Sequence, residues 1–190
     1  MNIFYLHQNQ TICAEYHTNK HVISQLKESC QLLSTAHRIL DGEIYISVRN
    51  GRKYTQYILP DSRNDALLKF THPGHPCAQW ARDSSSNYAW LINLTVALCK
   101  EYTHRYGKIH KYEREGLVEF LKQLPTNIQY GPMTPFAQAM PEQYRNNDAV
   151  IAYRNYYIGE KSEMLQYKNR DIPEWIPTEI LTQQAEIYDN

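Results

Sequence analysis

The chain has 190 residues, of which 42% are hydrophobic and 21% charged, so it can bury a core and wholesale disorder is excluded. Its 20 Lys and Arg equal its 20 Asp and Glu, which disfavours a protein that coats nucleic acid by bulk charge. No apolar run approaches the roughly 20 residues of a membrane-spanning helix. Four cysteines without a Cys-x-x-Cys pair, and a start unlike a signal peptide, predict a cytoplasmic protein with reduced thiols and no membrane contact.

The charge is unevenly distributed along the chain. Residues 1–112 contain 13 Lys and Arg against 8 Asp and Glu, whereas residues 113–190 contain 7 against 12. The last twenty residues hold five acids and no Lys or Arg. We predict one globular domain over residues 1–177 and an acidic C-terminal helix or tail over 178–190. This acidic end either offers a protein partner a binding site or folds back onto the basic body.

Hydrophobic periodicity predicts a mainly α fold, a compact helical domain with one inserted β-hairpin. The hairpin covers about residues 43–59, because alternating apolar residues flank the turn signal Asn50-Gly51. Helices are predicted over Ala14–Leu40, from Ser84–Ser86 to Tyr106, over Glu113–Leu124 and over Asp148–Tyr167. Residues 71–80 and 125–141 are predicted as loops from their Pro and Gly content. His37 and Trp80 are predicted to be core residues.

The polar face of the first predicted helix is the first candidate site. His17 and His21 are four residues apart and therefore point the same way, with Lys20 beside them and Glu28 two turns on. Such a face can supply a general acid or base and an amine nucleophile, or it is simply a solvated helix surface. The same histidines with His72 or His75 fit a zinc site. No Glu follows the first His, and we predict neither metal nor cofactor.

The second candidate is the run from Tyr102 to Tyr112, which interleaves basic and aromatic residues and contains no acid. Cations meet phosphates and aromatic rings stack on bases, although cations also stabilise a helix C-terminus without any ligand. The predicted binding site also includes a histidine expected to line the pocket, His75, and a later cluster that contains Arg154 and Tyr157. The predicted substrate-binding residues are Arg38, His75, Arg105, Tyr106, Lys108, Lys111, Arg154 and Tyr157.

Several stretches resemble, in the same order, those of the bacteriophage pyrimidine-dimer DNA glycosylases. They are Ala14-Glu15-Tyr16 before Lys20-His21, His75-Pro76 before a helix ending at Cys99–Tyr102, Arg105-Tyr106-Gly107, Tyr156-Tyr157 and Pro173–Trp175. The chain also resembles uncharacterised phage proteins that share the Ala-Glu-Tyr-His and His-Pro-Cys-Ala stretches. The resemblance implies a helical enzyme that flips a nucleotide and attacks the sugar C1′ with an amine. The product is a Schiff base, and a carboxylate assists.

Two features depart from that family. Its nucleophile is the α-amino group of a small residue exposed when the initiator methionine is removed, whereas Asn2 predicts that Met1 is retained. Its catalytic Glu aligns near Thr18, which leaves Glu15 or Glu28 as the candidate carboxylate. The predicted catalytic set is Glu15, His17, Lys20, His21 and Glu28.

The prediction is therefore a phage-type, DNA glycosylase-like enzyme that acts on a nucleobase or its N-glycosidic bond, in DNA or in a nucleotide, inside an infected host cell. One alternative is an enzyme of DNA base hypermodification on the same fold. The other is a catalytically silent protein that binds nucleic acid or a host protein. DNA is the predicted partner in the first two cases.

Overall fold

In the computed structural model, residues 1–181 are described. Two helices follow an extended N-terminal arm (residues 1–7): α1, Gln10–Glu15, and α2, Asn19–Asp41. The predicted continuous helix from Ala14 is wrong, because Thr18 interrupts it and caps α2 by accepting a hydrogen bond from the backbone N–H of His21. A side-chain oxygen at that position satisfies one of the free N–H groups that begin any helix.

The predicted hairpin is confirmed. Strands β1, Glu43–Arg49, and β2, Arg52–Ile58, pair antiparallel, with Glu43 opposite Ile58 and Arg49 opposite Arg52. The turn residues Asn50 and Gly51 both adopt positive φ, 49° and 73°. This is the conformation that the Asn-Gly pair favours in a two-residue hairpin turn.

Three helices follow the hairpin: α3, Arg63–Ala66, α4, Pro76–Asp83, and α5, Ser85–Tyr106. Helix α5 has the predicted limits, since Ser84 caps its start and Gly107, at φ 66°, ends it. Helix α4 corrects the predicted loop over residues 71–80. Pro76 occupies the first helical position, where the missing N–H costs nothing, and His75 caps the helix.

The remainder of the described chain is less regular. The predicted helix over Glu113–Leu124 is wrong: Gly116, at φ 81°, separates two single turns, α6, Lys111–Arg114, and α7, Leu117–Phe120. Residues 125–141 form the predicted irregular segment. Two 3₁₀ turns, Glu142–Tyr144 and Ser162–Met164, flank α8, Ala149–Lys161. Most of the predicted acidic tail, residues 182–190, lies outside the described part.

The core is built around the long helices α2 and α5, against which α1 and α4 pack. The N-terminal arm enters this core, with Ile3 and Leu6 fully buried, and Tyr153 and Tyr157 of α8 lie in the same cluster. Trp80 and His37 are core residues, as predicted. The protein is thus mainly α with one inserted hairpin, and within residues 1–181 no helix is long and apolar enough to cross a membrane.

Three buried histidines make the fold sensitive to acid. Burial lowers the pKa of His17 and of His37 to about 4 and the pKa of His21 to about 3. In the unfolded chain each of these histidines becomes protonated as pH falls below about 6.5, whereas in the folded chain it stays neutral down to its lowered pKa. The folded state therefore has its full stability above pH 6.5 and loses part of it as pH falls towards 4. At pH 5 each histidine should reduce the free energy of unfolding by about 2 kcal/mol.

Urea unfolding at pH 7.5 and at pH 5 measures this loss. His37→Gln should shrink the difference in the free energy of unfolding between the two pH values by about 2 kcal/mol. An equal acid loss in the wild type and in His37→Gln would contradict this assignment.

Candidate active site

The amino group of Met1 and the carboxylate of Glu28 meet at one end of the core. The amino nitrogen lies 3.7 Å from Oε2 of Glu28, and both side chains are largely covered, with 11% and 27% exposed. Gln25 lies one turn before Glu28 on α2 and donates a 3.1 Å hydrogen bond from Nε2 to the same oxygen. The carboxylate is therefore held between an amine and an amide.

The N-terminal arm fixes the position of this amine. Cys13 donates from its thiol to the carbonyl of Phe4, and Arg154 donates from Nε to the carbonyl of Leu6 at 3.0 Å. The ring of Phe4 stacks on His21, with centroids 4.5 Å apart. Because the arm is anchored on α1, α2 and α8, the first residue has a defined place beside α2.

Further polar atoms surround the pair. Oε1 of Gln25 and Oγ of Ser29 are buried on the same part of α2 and have no hydrogen-bond partner among the described residues. The pKa of His75 is lowered, first by burial and then by the positive charges of the N-terminal amine and of His72. Buried polar atoms without a protein partner are rare, and water or a ligand usually satisfies them.

A hydrogen-bond network lies beneath the arm. Nδ1 of His21 bonds the hydroxyl of Tyr157, which also accepts from the backbone N–H of Thr18. His17 donates from Nδ1 to the carbonyl of Cys13 at 2.6 Å, which leaves its Nε2 buried and without a partner in the described residues. Both imidazoles are neutral near pH 7, because burial holds each pKa far below its usual value.

Comparison with protein families gives one result that decides the relationship. Residues 1–114, more than half of the chain, match the family described as pyrimidine dimer DNA glycosylase. The chain belongs to this family. The searches of curated proteins and of solved structures gave no match. The family places the protein among DNA glycosylase-like proteins with DNA as partner, and its match contains the arm, α2 and the pair formed by Met1 and Glu28.

Thr18, the position that the resemblance predicts to align near the glycosylase family's catalytic Glu, is a capping residue. It is fully buried, and its hydroxyl caps the start of α2. Of the two predicted substitutes, Glu15 is paired with Arg170 at 3.2 Å and its backbone carbonyl accepts from Arg105, whereas Glu28 lies beside the amine.

Of the remaining predicted catalytic residues, the two histidines lie together beneath the arm, and the lysine lies outside that cluster. His17 and His21 are buried, 0% and 8% exposed, because the arm and α8 cover the face predicted to be solvated, whereas Lys20 is exposed. His21 faces the arm, and His17 lies below it. Within residues 1–181, no group of three or more His, Cys, Asp or Glu side chains is arranged to hold a metal ion.

Two predicted phosphate contacts are structural arginines. Arg38 is 6% exposed and donates to carbonyls of residues 57, 64, 67 and 68 and to the side chain of Asn64. Arg105 is 1% exposed and donates to Glu101, Asn19 and the carbonyl of Glu15. Each guanidinium donates its hydrogen bonds to acceptors inside the protein, so neither is available to bind DNA in this conformation.

The other predicted binding residues divide into internal and exposed groups. Tyr157 is fully buried, and the Tyr106 hydroxyl donates to the carbonyl of Asn19. Arg154 bonds the arm and lies over the ring of Trp175. Lys108 and Lys111 are exposed, and the latter lies 3.9 Å from Glu115.

Sequence reasoning missed Met1 and Gln25. The predicted retention of Met1 argues against amine chemistry in the sequence analysis, whereas the structure places the amino group of Met1 beside Glu28. Gln25 carried no signal beyond its spacing of three residues from Glu28, which places both on one helix face.

Proposed function

We propose that this protein releases a base from DNA, with the α-amino group of Met1 as the nucleophile and Glu28 as the assisting carboxylate. The observation that supports this is the 3.7 Å approach of the amine to Glu28 in a largely covered site. With Met1 retained, as Asn2 predicts, its own α-amino group supplies the amine. Glu28 then plays the role that the resemblance gives to a carboxylate near Thr18, from a position ten residues later on α2.

The reaction needs an unprotonated amine at the sugar C1′. Glu28 accepts a proton from the ammonium group, and the nitrogen lone pair then forms a bond to C1′. The glycosidic bond breaks, its electron pair leaves with the base, and the base takes up a proton. The nitrogen then loses its second proton and the C1′–O4′ bond breaks, with O4′ taking up that proton, which opens the sugar ring and gives a protonated imine. Water hydrolyses the imine, which restores the amine and leaves an abasic sugar.

The arrangement supports this assignment over Lys20, the other amine predicted from the sequence. Lys20 is exposed, whereas the Met1 amine is partly covered and has a carboxylate beside it. Gln25 acts as a positioning residue, because its amide holds the carboxylate oxygen that faces the amine.

Borohydride trapping tests the proposal. The protein is incubated with duplexes carrying a pyrimidine dimer or other altered bases, reduced, digested and mapped by mass spectrometry. We expect release of a base and a reduced sugar adduct on the α-nitrogen of Met1. Intact mass must show a free amino group on Met1, and a chain extended by glycine and serine at its start is the matched control, since its amine lies elsewhere.

The outcomes separate the alternatives. An adduct on Lys20 would overturn the assignment to Met1. Tight binding without base release or adduct would favour the catalytically silent protein. The burial of Thr18, which the resemblance predicts to align near the family's Glu, also supports that alternative.

A further inference from the structure

The β-hairpin presents apolar side chains to solvent instead of burying them. Ile44, Ile46 and Val48 are 64%, 58% and 65% exposed. Alternate residues of a strand point to the same side, so these three form one aliphatic stripe along β1. Tyr45 and Tyr54 on the opposite side are also about half exposed, 53% and 46%. An apolar surface of this kind marks an interaction site.

The hairpin has little support of its own. Within residues 1–181 its two strands pair with each other and with no third strand. A two-stranded hairpin is marginally stable in water unless something packs on it. Its second strand touches the following segment through the rings of Tyr57 and Phe70, whose centroids lie 5.1 Å apart, and a cleft of about 690 Å³ is lined by residues of both. The stripe and this cleft leave much of the hairpin open to a partner.

The charge of the hairpin indicates which partner fits. Between Ile44 and Pro60 the sequence has Arg49, Arg52 and Lys53 and no acidic residue. The side chains of Arg52 and Lys53 are exposed beside the turn. A cationic tip on an apolar ribbon is complementary to the phosphates and sugars of DNA, and a two-stranded ribbon fits the major groove.

Helix α2 sets the distance between this ribbon and the candidate active site. Glu28 lies near the middle of α2, and the helix ends at Asp41, directly before the hairpin. Thirteen residues at 1.5 Å each make about 20 Å, which is roughly six base pairs of duplex.

We propose that the hairpin is a second DNA-binding element that lies in the major groove roughly six base pairs from the reacting nucleotide. Arg52 and Lys53 contact phosphates, and the stripe of Ile44, Ile46 and Val48 packs against sugars and base edges. The position of the reacting nucleotide rests on the proposed function, whereas the hairpin's contact with DNA does not.

The salt dependence of binding tests the cationic contacts. In the double variant Arg52→Gln, Lys53→Gln, the slope of log affinity against log salt should become shallower by about 1.8, one contribution for each phosphate lost. The effect should occur on a duplex reaching roughly 10 base pairs beyond the altered base and be absent on one that stops about three base pairs from it. Lys122→Gln is the matched control, since Lys122 is exposed and already paired with Glu119.

A second variant tests the stripe. Thr keeps the strand preference of the residues it replaces, so Ile44→Thr, Ile46→Thr, Val48→Thr should preserve the circular dichroism spectrum. We expect a loss of affinity for the long duplex of about tenfold or more, because the removed apolar contacts no longer offset the cost of ordering the hairpin on DNA.

Each result has one meaning. An unchanged salt slope and unchanged long-duplex affinity would overturn the proposal. So would a wild-type dimer that the Thr variant dissociates while DNA affinity stays constant, because the hairpin would then bind a second copy. Hairpin-dependent binding without imine trapping would contradict the proposed function alone, and trapping with hairpin-independent binding would contradict the hairpin proposal alone.

Discussion

Replacing Glu28 with Gln should slow base release by about 10²–10⁴-fold, the usual contribution of a positioned acid or base. The amide keeps the size of the side chain and still faces Gln25, but it cannot take the proton from the Met1 amine. DNA affinity should stay near the wild-type value, because Glu28 is an anion and makes no favourable contact with phosphate. Single-turnover release of the base, followed by mass spectrometry, measures the rate.

The control for this prediction is Glu15→Gln, the other carboxylate proposed from the sequence. Glu15 is 34% exposed and paired with Arg170, so its neutralisation should leave the single-turnover rate unchanged. If both variants lost activity equally, or if Glu28→Gln retained it, Glu28 would have no specific role.

Arg105→Met should lower the free energy of unfolding by about 3 kcal/mol. Its guanidinium is buried with three internal acceptors, and its removal leaves Glu101 with Arg170 as its remaining cationic partner. Burial raises the pKa of Glu101, but hydrogen bonds from Arg170 and Arg105 outweigh it and hold that pKa below its usual value. The carboxylate is therefore charged and depends on these partners.

Urea unfolding measures this effect, and Lys108→Met is the matched comparison. Lys108 is exposed, so its replacement should change stability by less than about 0.5 kcal/mol while weakening DNA binding. A stable Arg105→Met protein with reduced DNA affinity would restore Arg105 as a phosphate contact.

Local signals were sufficient for several elements of the fold. The turn depends on the adjacent pair Asn50-Gly51, and the limits of α5 depend on the capping residues Ser84 and Gly107. Each signal is local, so it can be recognised in the sequence alone. Helix α4 was missed for a local reason as well. Pro76 was interpreted as a loop residue, although proline is favoured at the first position of a helix.

The site could be predicted only in part, because burial depends on partners distant in sequence. Arg38 and Arg105 are of the residue type that contacts phosphate, but their hydrogen-bond acceptors lie inside the protein. One of these acceptors, the carbonyl of Glu15, is 90 residues from Arg105 in the sequence. Glu28 was identified as a candidate from its helix face alone. Its meeting with Met1 requires the arm to fold back along α2, which no local pattern encodes.

The anchoring of the arm has a consequence for the order of assembly. Phe4 and Leu6 of the arm are held by residues of α8, with Tyr157 5.0 Å from Phe4 between ring centroids and Arg154, 148 residues beyond Leu6, on the carbonyl of Leu6. The amine can therefore reach its final position only after almost the whole chain has been synthesised. A truncated chain that ends with the family-matched region contains the amine of the proposed function without the α8 residues that position it. Under the proposed function, reactivity towards DNA therefore requires α8 as well as the matched region.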